Sequence, residues 1–424
     1  MISNRRTFIK HAACFTGMSA IVRGSTPENV GKSAPGERIT VGGIGLGPRG
    51  REVLKPFLSQ ADVRFVAIAD VQESRREIIR KTVNRHYGNE ECKAYGDMRE
   101  LLDRPDIDAV IIATSERWHA TASILSARAG KDVYCEKPCT MTISECQELD
   151  AEVLKHKRIY QGGMQRRNVD NFQAAVDIAR SGKLGKLHTL NAGIWLPQPI
   201  QPDLPGEPEP DANVIDWNRW LGPAPLRPYN KQYVGGRWRY YDGLSSGWGL
   251  LDWASHTVNL CQWVMDADNT TPVEYWPQDG NLCARYANGV KLVMRLAGFH
   301  KEGGWLGLGS CPVRFEGDAG WVEAGDYGKI AVSEPSILGG KIPSEMPGID
   351  PSKHVRNFID CVKSRSSTAC NSTVVRHTEV ACHAAAISWK LNRKLKLNPA
   401  TERFIDAPDA DALCSRPRRA PFTV

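Results

Sequence analysis

The 424-residue chain is long enough for two domains of ordinary size, and 41% apolar with 24% charged residues is the balance of a globular protein, which excludes general disorder. No apolar run approaches the roughly 20 residues of a membrane span, so no membrane partner is expected. The formal charge is +7, but residues 1–35 hold Arg5, Arg6, Lys10, Arg23 and Lys32 against Glu28, and the +3 left for the remainder gives no case for nucleic-acid binding.

The first segment reads as an address. Ser3-Asn4-Arg5-Arg6-Thr7-Phe8-Ile9-Lys10 precedes a short apolar stretch over 12–22 and a polar one to Gly36. This resembles a twin-arginine leader, so residues 1–36 are expected to direct export to the periplasm of a protein that is already folded. Twelve cysteines show no CxxC pair and no metal-ligand spacing, and buried free thiols formed in a reducing cytoplasm suit that route. Cys135 and Cys139 bracket Glu136-Lys137-Pro138, but a second pair to complete a zinc site is missing, and no metal is expected.

From residue 37 the pattern becomes strand, glycine turn, helix. The apolar run 39–44 leads into Gly45-Leu46-Gly47-Pro48-Arg49-Gly50, whose glycines at 45, 47 and 50 fit GxGxxG. The first allows the tight turn, the second lets backbone approach a pyrophosphate, and the third lets helix and strand pack closely. A second buried strand over 63–69 ends in Asp70, where a carboxylate accepts bonds from a ribose 2′-hydroxyl and repels a 2′-phosphate. NAD is therefore favoured over NADP, although Arg75 and Arg76 lie where a phosphate could be met. Helices over 74–87 and 119–129 alternate with strands over 109–113 and 132–135, which predicts a doubly wound parallel Rossmann sheet over residues 37–158. Ligands of such sheets sit beyond the strands' carboxyl ends, the edge that carries Thr114, Trp118, His119, Glu136, Lys137 and Pro138. With Gly45, Gly47, Pro48, Arg49, Gly50 and Asp70 these are the expected cofactor-binding residues.

Cys135-Glu136-Lys137-Pro138 after the fifth strand resembles the glucose-fructose oxidoreductase, inositol dehydrogenase and rhizopine-catabolism family (Gfo/Idh/MocA). Ser115-Glu116-Arg117-Trp118-His119, residues 161–167, Trp220-Leu221-Gly222-Pro223-Ala224-Pro225, Gly249 to His256 and the tail from His354 to Pro421 extend the likeness to the leader-bearing bacterial branch. The resemblance implies a second, α+β domain over 159–424 with an open, mostly antiparallel sheet and helices on its other side. Strands over 290–296 and 313–317, a proline-rich loop over 197–210 and helices over 352–364 and 374–391, returning near the domain junction, agree with it. A homo-oligomer is also expected.

The same resemblance makes Lys137, Asp252 and His256 the catalytic positions. Asp252 and His256 are four residues apart and share a helical face. His256 is therefore expected to act as base, Asp252 as its orienter or a substrate ligand, and Lys137 as the group bonding the reacting hydroxyl and cofactor ribose. Gln165, Arg166 and Arg167 are candidate substrate ligands, and tryptophans between 195 and 276 offer faces for sugar rings. The function read from these residues is NAD-dependent oxidation of a sugar or cyclitol hydroxyl, with the cofactor tightly bound. Glycoside hydrolysis by transient oxidation and elimination is the alternative, and a non-catalytic sugar-binding protein a second one, disfavoured by the presence of Lys137, Asp252 and His256 together.

Overall fold

The computed structural model describes residues 38–297, 304–340 and 342–424. The expected leader lies outside them. Among the described residues, no helix is long and apolar enough to cross a membrane.

Continuous apolar runs bury both faces of a strand and so favour a parallel sheet covered by helices. Ala109–Ile112, every residue of which is buried, is the clearest case. In chain order the first unit runs β1 (Ile39–Ile44), α1 (Pro48–Leu58), β2 (Val63–Ala69), α2 (Glu73–Tyr87), β3 (Lys93–Tyr95), α3 (Met98–Leu102), β4 (Ala109–Ile112), α4 (His119–Arg128), β5 (Asp132–Cys135), α5 (Ile143–Lys155) and β6 (Tyr160–Gly162). The strands lie in the order β3-β2-β1-β4-β5-β6, all parallel, with the direction of winding reversing between β1 and β4. That reversal opens the crevice in which doubly wound folds bind nucleotides. The sixth strand lies just past residue 158.

The second unit follows as α6 (Asp170–Arg180), β7 (Leu187–Ile194), α7 (Trp217–Leu221), α8 (Lys231–Val234), α9 (Leu251–Val264), β8 (Glu274–Gln278), β9 (Asn281–Arg285), β10 (Lys291–Leu296), β11 (Val313–Gly317), β12 (Gly320–Ala324), β13 (Ile330–Val332), α10 (Ser352–Ser364), α11 (Ser372–Lys390), β14 (Leu395–Asn398), β15 (Arg403–Phe404) and α12 (Pro408–Ala412). Nine of its strands form one sheet, antiparallel except where β7 pairs with β10. Buried residues of α6, α9 and α11 pack with the sheet's inner face in one core. The proline-rich stretch over 197–210 contains no helix or strand.

Helix α10 packs into the first unit's core, and α11 holds the loop that follows β5. Val355, Phe358 and Ile359 of α10 belong to the same buried cluster as Val41, Phe57, Phe65 and Ile111 of the first unit. Phe57, Tyr134 and Phe358 meet edge to face, with centroids 5.5 to 6.1 Å apart. From α11, Glu379 accepts hydrogen bonds from the Cys139 backbone N–H (2.7 Å) and the Thr140 hydroxyl (2.7 Å), so it grips the loop that follows β5. Ser255 of α9 donates to the same carboxyl group at 3.4 Å.

Burial pushes the Glu379 carboxyl up from its ordinary 4.5 to about 7. A group whose folded value is raised contributes stability that is whole below the unfolded value and is lost as pH climbs through the folded one. Chemical unfolding followed from acid to neutral pH should show about 3 kcal/mol of such loss, at about 1.4 kcal/mol per unit. Glu379→Gln, which imitates the protonated group, should flatten that slope, and an unchanged slope would contradict this account.

Candidate active site and nucleotide cleft

Three glycines shape the turn after β1. Gly45 has φ +68°, and a Cβ there would lie 2.3 Å from Thr114 Cγ2 across the strand reversal. Gly50 is crowded by Leu46 at 3.0 Å and Ala113 at 3.2 Å, the close helix–strand packing expected of the third glycine. At Gly47 a Cβ would meet only the Arg75 guanidinium, 3.3 Å away. Helix α1 then starts at Pro48 with no side chain capping it, which leaves its first N–H groups for an anion.

Beyond the turn, one Asp70 oxygen accepts from the Gln72 N–H at 2.9 Å, and the other is buried without a partner. A ribose hydroxyl would satisfy it. Burial pushes the Asp70 carboxyl up, opposed by Arg75 and Arg76. Arg76 is occupied by the carbonyls of Asp70 (2.7 Å) and Asn213 (3.2 Å). Arg75, Asp70, Gly45, Thr114 and Trp118 line one open cavity of about 900 Å³. These residues fit a dinucleotide: a turn for phosphates, a carboxylate for ribose, an apolar end.

Thr114 also lines a second cavity, so the two adjoin at the switch point. Arg49, His119, Glu136, Lys137, Gln165, Arg166, Asp252 and His256 are all found in its wall. Lys137 donates to the Asp252 carbonyl (2.6 Å) and carboxylate (3.3 Å), and Arg239 donates to the other carboxylate oxygen (3.2 Å). Burial would raise the Asp252 carboxyl, but Lys137 and Arg239 outweigh it and hold the group below its ordinary value. Glu136, wholly buried, is likewise held low against burial by Arg49, which donates to it at 3.0 Å, and Gln165 donates to the same oxygen at 2.9 Å. His119 presents one ring nitrogen to the Pro138 carbonyl (2.5 Å) and the other to that of Thr114 (3.2 Å), so it ties together the loops after β4 and β5.

Two expectations need correction. Asp252 does not orient His256, because its oxygens are taken by Lys137 and Arg239. His256 Nδ1 is instead buried without a partner, and burial, with the charges of Arg166 and Lys137, keeps the ring neutral and far below its ordinary value. Arg167 is not in the cavity wall. It donates to Asn259 (2.7 Å) and Asp268 (2.8 Å) under the second unit, whereas its neighbour Arg166 faces the cavity and is held by Asp326 at 3.0 and 2.6 Å. Of the tryptophans, Trp238 and Trp253 line the cavity, with Trp195 stacked on Trp253 at 5.3 Å, while Trp217 and Trp220 belong to a separate buried cluster. Cys135 and Cys139 are buried free thiols, as is every other cysteine among the described residues.

Arg239 and Glu116 join the site without having been singled out. Glu116 accepts from the Ser246 N–H at 2.5 Å, and burial, then the nearby Asp252, pushes it up to about 7. Its place in Ser115-Glu116-Arg117-Trp118-His119, just after β4, was the available signal.

Residues 39–164 match the model of an oxidoreductase family's NAD-binding Rossmann fold, and residues 202–424 match the same family's C-terminal alpha/beta domain. The chain belongs to the Gfo/Idh/MocA oxidoreductase family. Among relatives of this family, a myo-inositol 2-dehydrogenase of Thermotoga maritima is 33% identical over 150 residues, 35% of this chain and 43% of that protein. Glycosyl hydrolase family 109 protein 1 of Shewanella sp. (strain MR-4) is 30% identical over 205 residues, 43% of this chain and 44% of that one. The chain thus spans less than half the length of these curated relatives. An oxidoreductase from Agrobacterium radiobacter, solved in complex with NAD+, L-tartaric acid and magnesium, shares the fold with a TM-score of 0.60 at 15% identity, covering 85% of this chain and 98% of that one.

Ionisation of Glu116 near neutrality places a further negative charge beside Asp252 and Lys137. Turnover measured across neutral pH should show an inflection near 7 that disappears in Glu116→Gln. An inflection that persists in the variant would assign it elsewhere.

Proposed function

We propose that the protein oxidises a ring hydroxyl of a sugar or cyclitol with NAD as the electron acceptor. What carries this reading is the meeting of Lys137, held by Asp252, and His256, with an unpartnered ring nitrogen, in a cavity that joins the dinucleotide cleft at Thr114. A bound nicotinamide supplies the two-electron acceptor for a carbinol. The chain's own groups place the hydroxyl and take its proton. Neutral His256 accepts that proton, and the ammonium of Lys137 donates to the oxygen while carbonyl character develops. Asp252 acts through Lys137 by fixing its position.

The substrate class follows from the cavity wall. Charged and hydrogen-bonding groups suit a polyol's hydroxyls, and the faces of Trp238 and Trp253 suit the C–H face of a ring. The inositol dehydrogenase relative supports the same class. Asp70, with its unsatisfied oxygen, favours NAD over NADP. Export through the Arg5-Arg6 leader and assembly as a homo-oligomer belong to the same proposal, and rest on the leader's residues and on the family resemblance.

One observation favours a second reading. Elimination across a sugar ring needs another proton-handling group near the oxidised carbon, and Glu116 offers one poised near neutrality in the same cavity. The family 109 hydrolase relative agrees with it. The two readings part on net redox change, because a dehydrogenase leaves its nicotinamide reduced after each polyol until a second substrate reoxidises it, whereas a redox-neutral hydrolase releases sugar without net reduction.

Denatured protein should release NAD, identified by mass spectrometry, and NADP as the main species would refute the role given to Asp70. With an active polyol, Lys137→Ala and His256→Ala should each lower turnover roughly 100-fold or more while NAD still binds. Asp252→Asn combined with Lys137→Ala should cost little more than Lys137→Ala alone, as expected of groups acting as a unit. Additive losses in that pair would place Asp252 on the substrate instead. Separately, replacing Arg5 and Arg6 by lysine should leave active enzyme in the cytoplasm, and normal export would refute the leader.

A further inference from the structure

The cavity that holds Asp70 is walled in part by chain that no motif marks. Pro421, Phe422 and Thr423 line the same cavity as Asp70 and Trp118. Phe422 is buried, with its ring edge-on to Trp118 at 5.3 Å between centroids and the Arg419 guanidinium 4.9 Å above it.

The tail is strapped into this position from both units. Arg416 donates to Glu145 on α5 (2.8 Å) and to the Arg117 carbonyl (3.1 Å), and Arg418 pairs with Glu148 at 2.7 Å. Arg419 donates to the side chain and carbonyl of Asn218 on α7 (2.6 and 2.8 Å), and its own N–H bonds to the Pro223 carbonyl (3.2 Å). Trp118 is fixed from the other side, where its indole N–H donates to the Arg219 carbonyl at 2.9 Å. Gly222, at φ +54°, passes so close that a Cβ there would lie 2.2 Å from the indole. Two aromatic rings from distant parts of the chain are thus immobilised in the wall that also carries the ribose-binding carboxylate.

We infer that Phe422 and Trp118 form the pocket for the adenine base and that the C-terminal strap slows release of the dinucleotide. This rests on the dinucleotide reading of the cleft. With the phosphates at Gly47 and the ribose on Asp70, the base is left the apolar side chains of the same wall, among them Leu125, Pro421 and Phe422. A flat heteroaromatic base gains most from aromatic neighbours that are already ordered, because no side-chain entropy is lost when it arrives.

The test uses the purified full chain stripped of nucleotide, titrated calorimetrically with NAD, AMP and nicotinamide mononucleotide. Phe422→Ala should weaken NAD and AMP roughly 10-fold or more, the scale of losing one aromatic neighbour of a base, with NAD release faster in stopped flow. Phe422→Leu, which keeps an apolar plug without a ring, should show the same loss, and Phe422→Trp should restore affinity. Nicotinamide mononucleotide, which lacks adenine, should bind all forms alike. Unchanged AMP affinity in the Ala and Leu variants would overturn the proposal, and tighter AMP binding would overturn it by making the tail a plug. An equal loss for nicotinamide mononucleotide would also overturn it, as general damage to the cleft. A wild-type chain that binds neither NAD nor AMP, nor NADP titrated in the same way, would instead remove the dinucleotide reading itself.

Discussion

The ammonium of Lys137 sits in a cavity that also holds Arg49, Arg166 and Arg239, and cations gathered in a partly buried space repel one another unless carboxylates intervene. Asp252 is the carboxylate that makes the arrangement possible. It lies in the first turn of α9, where a negative charge is also favoured by the helix N-terminus, and it divides its oxygens between Lys137 and Arg239. Glu136 does the same for Arg49, and Asp326 for Arg166. Because Lys137 belongs to the first unit and Asp252 to the second, the charge balance of the cavity holds only when the two units are docked. Glu379 of α11, clasping the residues just after Pro138, secures that docking from behind.

This balance also sets what His256 can do. With like charges around it and no carboxylate partner, its ring stays neutral, the form able to accept a proton. A carboxylate beside the ring would have biased it toward the protonated form, which has no lone pair to offer. Placing Asp252 on Lys137 rather than on His256 thus keeps an acceptor and a donor side by side.

Much of this was legible in the sequence, for reasons that differ by element. Strands such as Ala109–Ile112 are buried on both faces and announce themselves as apolar runs, and the glycine turn is dictated by backbone contacts that any side chain at Gly45 would break. Lys93–Tyr95 and Tyr160–Gly162 are three residues long at the two edges of the first sheet and carry no such signal. Lys137, Asp252 and His256 line one cavity, since a strand end and a helix face fix where their backbones lie. Their pairing was not legible, because it depends on Arg239, brought in by a different segment. Arg166 and Arg167 show the same limit at closest range: adjacent in sequence, they leave one short turn in different directions, one to the cavity and one beneath it. Nothing in their chemistry distinguishes them until Asp326 and Asp268 have been placed.

The contribution of α10 to the first unit's core bears on how the protein comes to be made. A ribosome delivers the six parallel strands early, yet Phe57 and Tyr134 meet Phe358 only after most of the second unit has been synthesised. Until then one side of the nascent sheet lacks part of its cover, and apolar surface that should be packed faces water. Long-range closure of this kind slows the last step of folding, because contacts far apart in sequence must be brought together. A chain built this way completes its first core only once α10 has emerged, and a stop codon upstream of α10 would leave Phe57 and Tyr134 without the cover that Phe358 supplies.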